Sequence, residues 1–138
     1  MPIAVAHSAL PEARTAVVAA LDWARTHQTS LVVLHVEETG TVGTPGLPAS
    51  ESEVRAVEQE VQTVIDEQPG EAPDWRVVST TSARDVASAL LQLIAAHDVD
   101  LVVVGSRRRT EIGKFFMGRT VQRLVLDSPV PVLVVKNS

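Results

Sequence analysis

The chain has 138 residues, with 12 Lys and Arg against 17 Asp and Glu for a net charge of -5, no Cys, no Tyr and only 3% aromatic residues. These values exclude disulfides, thiolate metal sites and cysteine nucleophiles. They also argue against a stacking platform for single strands and against broad electrostatic adhesion to DNA or RNA.

Hydrophobic residues at 45% and charged residues at 21% are globular values. One domain over residues 1–138 is expected, with a core of Val, Leu, Ile and Ala. No window approaches the roughly 18 apolar residues of a membrane span. The stretch MPIAVAHSAL lacks the charged start of a signal peptide. A cytoplasmic protein without membrane or nucleic-acid partners is the expectation.

In chain order, Ile3 to Ala6 reads as a short aliphatic strand, and Ser8 is the nearest N-cap candidate for a helix that takes Pro11 in its first turn. Ala13, Ala16, Val17, Ala20, Leu21 and Ala24 recur at helical spacing, leaving Glu12, Arg14 and Arg25 for solvent and Trp23 as a partial core plug. Leu31 to Val36 (LVVLHV) is aliphatic rather than alternating, as in a strand covered on both faces of a parallel sheet. His35 lies within it and reads as a hydrogen-bonded core residue, since a general base needs a partner within reach.

Thr39 to Pro48, rich in Gly, Thr and Pro, reads as a mobile loop and a candidate flap. A second helix starts near Ser50 and ends at Pro69-Gly70. Val54, Val57, Val61, Val64 and Ile65 form its apolar face, and Glu51, Glu53, Glu58, Glu60 and Glu67 a face expected to be solvated. Trp75 to Thr80 reads as the third strand. Ser82 with Asp85 reads as a capping box for a third helix carrying Val86, Ala89, Leu90, Leu93 and Ile94 inward.

The richest stretch is Asp100 to Val135. Leu101 to Val104 is a fourth strand ended by Gly105, a helix follows from about Phe116 to Leu126, and Pro131 to Val135 is a fifth strand. Arg107, Arg108, Arg109, Lys114 and Arg119 lie between the turn and that helix against one acid, Glu111, which leaves 7 basic and 16 acidic residues elsewhere. A glycine turn after a parallel strand, facing a helix N-terminus and flanked by cations, is where α/β proteins hold anions.

Strands and helices alternate throughout. Right-handed crossovers turn that alternation into a five-stranded doubly wound parallel sheet with helices on both faces. Its ligand crevice lies outside the strand ends where the winding reverses, beside the turns after the first and fourth strands.

No G-x-G-x-x-G follows the first strand, so a dinucleotide site is not indicated. Gly113-Lys114 is not a Walker A motif, because Arg108 stands where its first Gly belongs and Phe115 where its Ser or Thr belongs. His7 beside Ser8 suggests a base and a nucleophile, but neighbours on a turn point apart and no third group orients the His. An enzyme is not expected, and no residue to position water for ATP hydrolysis is identifiable.

With LVVLHV, DLVVVGSR and the final SPVPVLVVK, the whole chain resembles the universal stress protein family. Nucleotide-binding members carry G-x2-G-x9-G-[S/T] after the fourth strand, whose backbone and hydroxyl groups surround ATP phosphates. On this chain the first and third glycines fall on Gly105 and Gly118, the second on Arg108, and the hydroxyl position on Arg119, with Thr120 one residue late.

Ala6 stands where those members carry an Asp that contacts the nucleotide, and His7 where Gly is usual. The resemblance implies a stress-response regulator with ATP or AMP held by Ala6, His7, Ser8, Val36, Gly105, Arg107, Arg108, Arg109, Gly118, Arg119 and Thr120. An arginine in place of a loop glycine either fills the pocket or takes a phosphate through its guanidinium. The alternative is a dimeric interaction module with a degenerate pocket. A homodimer through the fifth strand is expected on either reading, because Val132 to Val135 would form an apolar sheet edge.

Overall fold

Aliphatic, β-branched runs supply the strands and Ala- and Leu-containing periodic runs the helices, and the two alternate without a break in pattern. The computed structural model describes residues 1–7, 11–38, 49–82, 85–106 and 118–136. Among them, in order, are β1 (Ile3–Ala6), α1 (Pro11–Thr26), β2 (Leu31–Glu38), α2 (Glu51–Glu67), β3 (Trp75–Ser82), α3 (Val86–Ala96), β4 (Val102–Ser106), α4 (Arg119–Asp127) and β5 (Val132–Lys136). The sheet order is β3-β2-β1-β4-β5 and every neighbouring pair is parallel. This is the expected doubly wound α/β sheet, and the winding reverses between β1 and β4.

Successive side chains of a strand point to opposite faces. Ile3, Val5, Leu31, Val33 and Val103 therefore pack against α1 and α2, whereas Ala4, Val32, Leu34, Val102 and Val104 pack against α3 and α4. The result is two cores, one on each side of the sheet. Each fully buried Val or Leu contributes about 1.5–3 kcal/mol relative to exposure. The six inward positions expected for α1 are all buried, as are Val57, Val61, Val64 and Ile65 of α2 and Ala89, Leu90, Leu93 and Ile94 of α3.

Several boundaries differ from expectation. β4 does not stop at Gly105: Gly105 pairs with Val135 and Ser106 with Lys136, because β5 is long enough to continue the ladder. β2 and β3 each run two residues further, to Glu38 and Ser82, by pairing with each other. Asp85 is itself the N-cap of α3, accepting from the Ser88 N–H, while Ser82 Oγ accepts from the Asp85 N–H one step upstream. Gly118 is extended rather than helical and is the N-cap of α4, which begins at Arg119.

Trp23 is exposed, not a core plug, and its ring stacks on His27 at 4.6 Å. Arg25 is not a solvent residue either; its Nε donates to the Glu71 carbonyl at 2.9 Å and its side chain is 22% exposed. The expected flap, Thr39 to Pro48, lies outside the described residues.

Candidate functional site

The carboxyl ends of β2, β1 and β4 stand side by side, with α4 beginning beyond β4. Ala6 closes β1, half-buried, in register with Leu34. Ala6 and Val36 pack against the α3/α4 core. Gly105 and Ser106 end β4, the latter fully buried.

Gly118 caps α4 with no side-chain hydrogen bond to the first turn, and a Cβ built on it would meet nothing within 4 Å. Among the described residues, no side chain caps the first backbone donors of this nine-residue helix. Arg119 is exposed and Thr120 half-buried in that same first turn. A helix N-terminus of this kind favours an anion through its free N–H groups and its dipole. Ser8, Arg107, Arg108 and Arg109 lie outside the described residues.

His7 takes a different direction from Ala6. Its backbone N–H donates to the Leu34 carbonyl at 2.9 Å, which extends the β1–β2 register and sets His7 beside His35. Both rings project to the α1/α2 face, the face of Val5 and Val33. The rings meet edge to face, with centroids 5.3 Å apart. His7 Nε2 donates to Glu60 Oε2 at 2.8 Å and His35 Nε2 to Glu53 Oε1 at 2.9 Å. A carboxylate only accepts, so the Nε2–H tautomer is assigned to both rings by chemistry.

Among the described residues both Nδ1 atoms are buried without a hydrogen-bond partner. Burial pushes the His7 imidazole below its usual value. The hydrogen bond and charge of Glu60, and more weakly the charge of Glu53, oppose that, while His35 adds to it.

His35 is thus the hydrogen-bonded core residue expected, but it is not alone. Glu53, Glu60 and Glu67 recur every seven residues on α2 and engage His35, His7 and Arg14 respectively, so this part of the acidic face is not simply solvated. The seven-residue spacing was the signal available in the sequence, because it sets all three carboxylates on one stripe. Among the described residues no group of three or more His, Cys, Asp or Glu is arranged to hold a metal ion. No described helix is long and apolar enough to cross a membrane.

The Universal stress protein family model matches residues 1–136. A universal stress protein of Mycolicibacterium smegmatis is 32% identical over 134 residues, covering 97% of this chain and 96% of that protein. Among solved structures, a universal stress protein from Archaeoglobus fulgidus aligns with a TM-score of 0.73 at 19% identity, covering 99% of this chain and 98% of the other. A universal stress protein in complex with cAMP aligns with a TM-score of 0.73 at 19% identity over 100% of this chain and 98% of the other. The parallel order β3-β2-β1-β4-β5 and the match along nearly the whole chain lead to one conclusion: this chain belongs to the universal stress protein family.

Proposed function

We propose that this protein is a regulatory nucleotide-binding member of its family, not an enzyme, that holds ATP or AMP in the crevice between the ends of β1 and β4. The observation that carries the reading is the N-terminus of α4, where, among the described residues, Gly118 leaves the first turn without a side-chain cap and a Cβ built on it would meet nothing within 4 Å. Free N–H groups at that helix start would favour a phosphate, and Arg119, exposed in the same turn, would add a cation. Gly105 and Gly118 keep the family spacing, and Arg108 and Arg119 are assigned to the phosphates as guanidinium donors. Ala6 and Val36 would line the nucleoside end from the α3/α4 side. A relative of the same fold has been solved with cAMP, which supports an adenine nucleotide as the ligand class.

Calorimetric titration with ATP, AMP and their magnesium forms tests this beside a variant with Arg108→Ala and Arg119→Ala. Micromolar binding that is lost in the variant, with the far-UV spectrum unchanged, is the expected result. No heat from any of the nucleotides with folded protein would overturn it.

A second reading, a dimeric interaction module whose pocket is degenerate, is favoured by the absence of a carboxylate at Ala6 and by the exposed Val125 and Leu126 of α4. It becomes the better one if the titration is silent.

A further inference from the structure

The resemblance counted His7 among the nucleotide residues, but the site proposed above makes no use of it or of the four-residue cluster it forms at the ends of β1 and β2. His7 and His35 are side-chain buried, at 5% and 9% exposure, yet each leans on a glutamate that is 61% or 41% exposed. These pairs join two adjacent strands to one helix.

The helix is not held evenly along its length. Its buried apolar residues are Val57, Val61, Val64 and Ile65; before Val57 only Val54 is half-buried. The N-terminal part of α2 is instead held by polar contacts: Glu53 to His35, Glu60 to His7, the Ser79 Oγ that accepts from the Ala49 N–H, and the Glu37 carboxylate that accepts from Ser50. We propose that His7, His35, Glu53 and Glu60 form a proton-operated latch that fastens the N-terminal half of α2 to the strand ends at neutral pH and releases it in mild acid.

The reason lies in what a second ring proton would meet. With Nε2–H already donated, each neutral ring keeps a bare lone pair at Nδ1. Protonation turns that atom into a buried N–H without an acceptor and adds a charge 5.3 Å from a neighbouring imidazole. An unpaired buried donor costs about 1–3 kcal/mol and more when charged. The glutamates repay little of this, because both are well exposed and water screens them.

The charged groups facing the rings are Glu53 and Glu60 of α2 and each ring toward the other. Arg14 of α1 is occupied further along by Glu67, Glu37 of β2 is occupied at Ser50, and β3 sets the uncharged Ser79 opposite His35. Among the described residues no cationic side chain is paired with either ring, and relief comes when the ring leaves its site and meets water. The depressed His7 titration agrees in direction. The C-terminal half of α2 stays, because Val61, Val64 and Ile65 hold it independently of protons.

Amide hydrogen exchange by mass spectrometry at pH 7.5 and 5.5, corrected for the intrinsic pH dependence of exchange, tests the latch without any ligand. Exchange in residues 51–60 should rise at the lower pH by at least about fivefold, the low end of ordinary coupling free energies. Residues 61–67 and α3 (86–96) should not change. A variant with His7→Gln and His35→Gln keeps an amide donor for each glutamate but no titrating ring, and should respond equally at both pH values.

Should that variant not fold, Glu60→Gln gives the second reading. It keeps an acceptor but removes the charge that opposes burial at His7, so the closed site should resist the ring proton more strongly and the loosening at pH 5.5 should exceed that of the parent. Equal exchange of 51–60 at both pH values, a parallel rise in α3, a pH response retained in the double glutamine variant, or a loosening in Glu60→Gln no larger than the parent's would each overturn the proposal.

Discussion

Asp85 accepts from the Ser88 hydroxyl at 2.6 Å and from the Ser88 N–H at 3.0 Å, and Arg123 Nη1 donates to both of its oxygens at 3.1 Å. The Ser88 side-chain and backbone bonds, and after them Arg123, lower its carboxyl to about 2 from an ordinary 3.8. The folded state therefore binds that proton less tightly than the unfolded chain does. The stability Asp85 contributes is complete above the unfolded value and is lost as pH falls from about 3.8 through about 2. Carboxyl-carbon NMR should place the Asp85 midpoint near the lower value. Thermal melts of Asp85→Asn over the same interval should show a shallower loss of Tm than the parent; equal slopes would mean that other carboxylates carry the acid response. His7 works at a different pH with its own sign. Its folded value is depressed, so its neutral form favours the fold above the ordinary histidine range and that contribution fades as pH drops.

At the level of elements, α4 is the one most exposed to a single change. Leu124 is its buried residue, at 1% exposure, and it lies in the same core as Leu90, Leu93 and Ile94 of α3. Leu124→Ala should cost about 2–5 kcal/mol, the range for large cavities in a core. Urea unfolding checks this: the midpoint should fall with the slope unchanged, and a loss under about 1 kcal/mol would mean that α4 is held mainly by Arg123. All nine elements were legible from hydrophobic runs and period, because core residues such as Val33 and Leu90 carry the same burial in the sequence pattern as in the fold. Ends were less legible. Whether β4 stops at Gly105 depends on what β5 offers opposite it, and Val135 does offer a partner. The same holds for the site: Gly118 was readable as a family position, but His7 and His35 become a pair only through the β1–β2 register, and Glu53 and Glu60 join them only through the docking of α2. Long-range pairing of this kind leaves no mark in local composition.

Among the described residues the sheet ends in two edge strands, β3 and β5, and they are not alike. β3 carries Arg76, Ser79, Thr80, Thr81 and Ser82 on its eight residues, a polar edge of the kind that resists pairing. β5 is Val132, Leu133, Val134 and Val135 before a single Lys136, and all four apolar residues are only half-buried although they reach both cores. Edge-to-edge pairing of two copies through β5 would extend the sheet ladder and cover those side chains, while a net charge of -5 on each copy opposes contact elsewhere. This is the physical basis for the proposed homodimer. Sedimentation velocity at tens of micromolar should find a species of twice the monomer mass. Val134→Lys on β5 should raise the monomer fraction. Val78→Lys on β3 is the matched control, since Val78 and Val134 are both partly buried against the α3/α4 core and their replacement should weaken the fold comparably. Dissociation by Val134→Lys alone places the interface on β5; dissociation by both, or a parent that is monomeric at every concentration, removes the edge-pairing argument.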